Sequence, residues 1–247
     1  MADPQYFNVP KILVREPRLM VPNAVPVGRV QLNPEHYLRV KILKANVFNS
    51  YRPVDLLGNT LTYTKLGANM YFGAGNAGPG LITNNASAIR VSFTQPTMPA
   101  DKKVSMVIHQ HAPTRSTSAG WHRTYNDINS AHWTYNNAVY SRFCTNGNWL
   151  EEAESTFDFE QECVILLQSW KPSANYQKAF FNGLPWKTST NAVDMNGAFT
   201  DAWEVCGNSV YNGYKGITYS YFIFNHWFSD DEAFRISKDV YSLVSTA

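Results

Sequence analysis

Between residues 28 and 224 the chain is cut by turn signals at short intervals, and the pieces between them read as strands. The sharpest signal runs from Gln177 to Phe181, through Asn182-Gly183, to Leu184–Trp186. Asn-Gly between two apolar runs favours a β-hairpin, because a two-residue type I′ turn needs φ > 0 at both central positions. Ala88 to Phe93 and Val104 to His109 alternate as half-buried strands do, with Val104, Met106 and Ile108 on one face of the second. Val40 to Phe48, Leu61 to Tyr63, Val205 to Gly207 and Ile217 to Phe224 are further strands. Phe157 to Trp170 holds two strand-like stretches, the most apolar being Cys163 to Leu167. One helix is expected, at the end. Ser229-Asp230-Asp231-Glu232 has the spacing of a capping box, and Ala233, Ile236 and Val240 follow on one face.

This pattern predicts an all-β chain with a short C-terminal helix, and all-β sandwiches reach 247 residues as one domain. Only 16% of the residues are charged, against 44% hydrophobic and 14% aromatic, so the chain is too apolar for disorder. The net charge of +2, without a dense Lys/Arg cluster, gives no footprint for nucleic acid. No apolar run reaches the roughly 18 residues of a membrane span. The N-terminus lacks a signal peptide, so synthesis in a cytoplasm is expected. Cys144, Cys163 and Cys206, odd in number and widely spaced, imply no disulfide framework.

The first 27 residues differ from the rest. Pro4, Pro10, Pro17, Pro22 and Pro26 space out the apolar residues Tyr6, Phe7, Ile12, Leu13, Val14, Leu19, Met20 and Val21. Each proline fixes φ and biases its predecessor toward extended backbone. The segment reads as an extended attachment arm (1–27) that lies on a surface, ahead of a sandwich domain (28–247). It would reach roughly 90 Å when fully extended. The alternative is a segment that wraps its own sandwich.

Gly73 to Gly80 is glycine-rich, but neither a Lys-Ser/Thr pair nor a helix follows, so it reads as a bend between strands and not a phosphate loop. Asp158, Glu160 and Glu162 alternate, as glycosidase carboxylates on a strand would. Thr156 stands where a leading Glu is expected, so an exposed acidic strand face is the better reading. His109 and His111, with His122 and His132 beyond, lack the further ligands of a zinc site. No metal or cofactor is expected, and no enzyme. The most suggestive surface holds Trp121, His122, Tyr125, Asp127, Trp133, Tyr135 and Trp149 amid many Asn. Aromatic faces beside amides and carboxylates suit a sugar; they suit a wet protein interface or a core equally.

Two sets of phrases resemble one family. Pro26-Val27-Gly28-Arg29-Val30-Gln31-Leu32-Asn33-Pro34-Glu35, then Val47-Phe48-Asn49, then Pro53-Val54-Asp55-Leu56-Leu57-Gly58, resemble the opening of concanavalin-like or laminin-G-like proteins encoded among tailed-phage structural genes. Tyr176 to Gly183 and Phe222 to Ala233 are similar to the hairpin and closing phrases of the same fold, though His226-Trp227-Phe228 replaces its usual Arg-Ala-Leu. The resemblance implies a two-sheet antiparallel jelly-roll. It also implies a virion setting: a capsid-decoration, minor-capsid or head-fibre protein, with the major capsid protein, further copies of the chain and, in the alternative reading, a host-surface glycan as the expected partners. An endoglycosidase is the least favoured reading.

Overall fold

A computed structural model of the chain describes residues 23–49, 54–58, 62–66, 70–83, 88–92, 103–111, 122–124, 130–135, 138–143, 150–153, 162–170, 176–189, 202–205 and 216–246. Along them run β1 (Val30–Leu32), β2 (Ile42–Val47), β3 (Val54–Asp55), β4 (Thr62–Leu66), β5 (Met70–Gly75) and β6 (Gly78–Thr83). Next come β7 (Ala88–Ser92), β8 (Val104–His111), β9 (His122–Thr124), β10 (Ser130–Tyr135), β11 (Ala138–Phe143) and β12 (Leu150–Ala153). The remainder are β13 (Glu162–Trp170), β14 (Tyr176–Phe181), β15 (Leu184–Ser189), β16 (Ala202–Val205), β17 (Gly216–Phe224), the helix α1 (Asp230–Lys238) and β18 (Val244–Thr246).

The strands form two antiparallel sheets in a sandwich, as the turn spacing predicts. One sheet is ordered β15-β14-β13-β8-β17-β2-β3, with β6 also paired to β17 and β5 to β6; the other is ordered β12-β11-β10-β9-β16-β7-β4. A small ribbon of β1 and β18 ties the start of the domain to its end.

The hairpin forms as its sequence demands. Asn182 and Gly183 have φ of 49° and 83°, the left-handed values of a type I′ turn. The Asn182 side chain accepts a hydrogen bond from the Val164 amide at 2.8 Å, and its own amide donates to the Val164 carbonyl. A Cβ at Gly183 would lie 2.6 Å from the Phe234 Cα, so the turn also lets α1 come close. The helix starts with the expected capping box. Ser229 Oγ accepts from the Glu232 amide, and Glu232 Oε2 accepts from the Ser229 amide.

The segment after β17 covers one face of the nine-stranded sheet. Phe222, Val107, Leu166 and Phe180 stand across from one another on β17, β8, β13 and β14, and they pack with Phe228, Ala233, Ile236, Val240 and Tyr241. Gln168 fastens this layer: its side-chain amide donates to the Phe228 carbonyl at 3.0 Å and accepts from the Phe228 amide at 2.9 Å. The alternate residues Met106, Ile108, Ile165, Leu167, Tyr221 and Ile223 are buried as well, toward the second sheet.

Four expectations need correction. Val104 to Gln110 is buried on both faces, so β8 is a central strand and not the half-buried one its alternation suggests. The glycine-rich run is mostly strand: only Asn76 and Ala77 turn, while Gly73, Gly75, Gly78 and Gly80 lie in β5 and β6. Side chains are excluded there because a Cβ on Gly80 would sit 2.6 Å from Ile217 Cγ2 and one on Gly75 2.4 Å from Tyr219 Oη. The strand expected from Val40 begins at Ile42; Arg39–Lys41 is a 3-10 turn and leaves Val40 exposed. Val240 lies beyond α1 in a second 3-10 turn, still on the buried side.

Of the N-terminal segment, residues 23–27 are described, and they are fastened to the domain. Val25 is buried and its amide donates to the Ala77 carbonyl at 2.7 Å. Asn23 bonds the Ser237 carbonyl and the Val240 amide through its side chain. Asn49 donates to the carbonyls of Pro26 and Gly28. The expected arm contacts Tyr6, Phe7, Ile12, Leu13, Val14, Leu19, Met20 and Val21 lie outside the described residues.

Candidate functional site

The seven-stranded sheet carries a second pattern, read from its pairing register. One transverse row runs Arg142, Ala131, Arg123, Glu204, Arg90 and Thr64 across β11, β10, β9, β16, β7 and β4. Residues paired across strands share a face, as do residues two apart along one. Trp133, paired with Tyr140, and Tyr135, paired with Ala138, therefore share the face of that row. Glu151, paired with Tyr140, joins them, and so do Ser92 and Thr62. The opposite face has the positions of Tyr63, Ile89, Val91, Val139, Phe143, Leu150, Trp203 and Val205, together with those of Lys65, His122, Thr124, Ser130, His132, Thr134, Ser141 and Glu152. An antiparallel sheet in a sandwich turns its apolar face to the core and its polar face away. Trp133, Tyr135 and Tyr140 thus hold positions on the face of the charged row.

Of the residues singled out from sequence, Trp133 and Tyr135 come together here. His122 falls on the other face, directly across from His132. Trp121, Tyr125, Asp127 and Trp149 lie outside the described residues. Tyr140, Arg123, Arg142 and Glu151 are additions, and only the register brings them in. The signal available beforehand was weak: a two-residue alternation within β10 and β11 whose partners were unknown.

A second polar cluster lies inside the nine-stranded sheet, beneath the C-terminal segment. His109 is 1% exposed. Its Nδ1 is 2.9 Å from Tyr241 Oη, its Nε2 is 3.2 Å from Glu162 Oε1, and its ring lies 4.6 Å from that of Tyr219. Ser220 Oγ completes the set, 3.3 Å from Tyr241 Oη. Burial pushes the His109 pKa down, and the Glu162 carboxylate pulls it back up only in part. The lowered pKa favours the neutral imidazole. Burial also raises the Tyr219 phenol to about 12 and the Tyr241 phenol further. Such a cluster can hold the last turns of the chain on the sheet. It cannot present a base to a substrate, because the ring is closed off from solvent.

The acidic run divides in the same way. Glu162 opens β13 across from His111 and faces His109, whereas Asp158 and Glu160 lie outside the described residues. On the other face of the same sheet Lys44 is 1% exposed, and burial lowers its pKa to about 8, with Asp55 acting in the opposite direction. Among the described residues no three His, Cys, Asp or Glu side chains are grouped to hold a metal ion, and no helix is long and apolar enough to cross a membrane.

No protein-family model and no curated protein matches the chain by sequence. Solved structures do match by fold. The receptor-binding domain of botulinum neurotoxin type G superposes with a TM-score of 0.58 at 12% identity, over 79% of this chain and 50% of that one. The binding domain of botulinum neurotoxin serotype D/C gives 0.61 at 8%, over 81% and 52%. Domain 4 of AbnA, a GH43 extracellular arabinanase from Geobacillus stearothermophilus solved with arabinotriose, gives 0.57 at 16%, over 80% and 98%. The chain thus spans about half the length of the neurotoxin chains and nearly all of the arabinanase domain. At these identities the likeness is one of fold, and it agrees with the two-sheet antiparallel sandwich described above.

Proposed function

We propose that this chain is a non-enzymatic recognition module that binds carbohydrate on the polar-aromatic face of its seven-stranded sheet. The observation that carries the reading is the register, which gathers Trp133, Tyr135 and Tyr140 beside Arg123, Arg142 and Glu151. Sugar rings stack their C–H faces on aromatic rings, while charged and amide groups bond the hydroxyls; binding sites combine such apolar and polar parts. The fold shared with an arabinanase domain that holds arabinotriose and with receptor-binding domains supports this reading.

A glycan array probed with the full chain tests it. The expected result is binding to at least one class of glycan, reduced at least about tenfold by Trp133→Ala and by Tyr135→Ala in chains that still fold. A folded chain that binds no glycan contradicts the proposal.

The resemblance to phage-encoded sandwich proteins supports a finer reading: the module rides on a virion. In this reading the apolar, proline-spaced residues 1–22 attach it to a capsid protein or to neighbouring copies. A chain lacking residues 1–22 then folds but fails to join particles. Full incorporation of that truncated chain contradicts the attachment role.

A further inference from the structure

The cover over the nine-stranded sheet stops short of one end. Gln168 and Ser105 are paired across β13 and β8, and both are buried beneath the segment that follows β17. Two residues further along these strands come Trp170 and Lys103, on the same face, and both are only half-buried. Trp227 meets them from the covering segment. Its ring centroid is 5.9 Å from that of Trp170, with the planes 47° apart, and Lys103 Nζ lies 4.5 Å from the Trp170 centroid.

The core is closed here by Phe224 and Phe228, which are fully buried, whereas Trp227 between them is half-buried. Its backbone is nevertheless fixed on both sides. Ser105 Oγ donates to the His226 carbonyl, and the Gln168 side-chain amide both donates to and accepts from Phe228. Moving the turn that carries Trp227 would strand these buried polar groups, which is costly. A ring held in place with part of its surface in water loses little freedom when a ligand covers it. The Lys103 ammonium, drawn to Trp170 by cation–π attraction, brings hydrogen-bond donors to the edge of the pair. An acceptor lies on the same side: Lys178, across from Gln168, holds the largely exposed Asp230 carboxylate. Aromatic faces with a donor and an acceptor at their margin suit the C–H faces and the hydroxyls of a sugar ring.

We infer that Trp227, Trp170 and Lys103 form a second carbohydrate site at the rim of the nine-stranded sheet, where a sugar ring stacks on the tryptophan pair and Lys103 donates to its oxygens. The inference rests on the reading that this chain binds carbohydrate. It adds a site on the other sheet from Trp133. Two sites on one chain let a repeating glycan bind twice, which raises overall affinity without any new contact.

The test titrates a short oligosaccharide, of the class that the full chain selects on a glycan array, into the unaltered chain and into Trp227→Ala, Lys103→Gln and Trp133→Ala by calorimetry. Two sites per chain are expected, one lost in Trp227→Ala and the other in Trp133→Ala. Lys103→Gln should weaken the first at least about tenfold, the equivalent of about 1.4 kcal/mol. Oxidative footprinting of the unaltered chain, read by peptide mass, stands even if a variant misfolds: saturating oligosaccharide is expected to protect Trp227 and Trp170. A single site that Trp133→Ala abolishes, with Trp227 oxidised equally with and without sugar, overturns the second site and leaves the carbohydrate reading standing. A single site that Trp227→Ala abolishes keeps the rim site and overturns the placement on the seven-stranded sheet. A folded chain that binds no glycan overturns both.

Discussion

The two sheets solve the same problem in different ways. The nine-stranded sheet is covered twice, by the second sheet on one face and by the segment 226–243 on the other, so its central strands β8, β13 and β17 are buried almost throughout, polar residues such as Ser105, Gln110 and Thr218 included. The seven-stranded sheet alternates. In β7 and β16 the positions of Ile89, Val91, Trp203 and Val205 fall on one face, and those of Arg90 and Glu204 on the other. A sheet that alternates has a face to offer for recognition, whereas a sheet buried on both faces has none. The contrast teaches where to look for function: the best-packed part of the molecule is scaffold, and the candidate site lies on the sheet with the simpler pattern.

If the nine-stranded sheet is core on both faces, neighbouring residues that point opposite ways must both be costly to truncate. Phe222 packs toward α1 and Ile223 toward the second sheet, and both are fully buried. Urea unfolding of Phe222→Ala is expected to show a loss of about 3–5 kcal/mol and of Ile223→Ala about 2–5 kcal/mol. A loss confined to one of the two would break the comparison.

Much of this division was legible in the sequence. The Asn182-Gly183 hairpin, the Ser229–Glu232 capping box and the apolar run of β17 read correctly because each depends on local chemistry. What could not be read depends on partners far along the chain. Nothing near Val104 announces that residues 226–243 return to cover its sheet. Nothing in Gly73 to Gly80 shows Ile217 and Tyr219 pressing on a β-ladder, so glycines required by close packing read as a bend between strands. The burial of His109 becomes visible only once Tyr241 and Glu162 are placed around it. The polar-aromatic face was half legible: Trp133 and Tyr135 stood out by type, but sorting them from His122 required the cross-strand register.

Smaller effects sharpen the same contrast. Gly80→Ala places a methyl 2.6 Å from Ile217 Cγ2 and 3.1 Å from the Thr218 carbonyl, against a backbone that cannot yield. The expected loss is about 1–3 kcal/mol, read from the shift in urea midpoint.

The buried Lys44 gives the doubly covered sheet a pH signature. Its folded pKa of about 8 lies below the ordinary 10.5, so between these values the unfolded chain binds more protons than the folded one. Stability is therefore expected to rise as pH increases from 8 toward 10, by on the order of 1 kcal/mol per pH unit. Above 10 the raised phenols of Tyr219, Tyr221 and Tyr241 oppose it, because the unfolded chain then loses protons that the folded chain keeps. Urea midpoints measured across pH 7–10 check the slope, which Lys44→Met should flatten. An unchanged slope in that variant assigns it to another group.

The central claim is that the seven-stranded sheet has one core face and one recognition face, and two tryptophans test it directly. Trp203 holds a position on the apolar face and Trp133 one on the polar face. Urea unfolding of Trp203→Ala and Trp133→Ala, run side by side, is predicted to cost about 3–5 kcal/mol for the first and under about 1 kcal/mol for the second. Equal, core-sized losses at both positions would contradict the account, because Trp133 would then be packing and not a surface offered to a ligand.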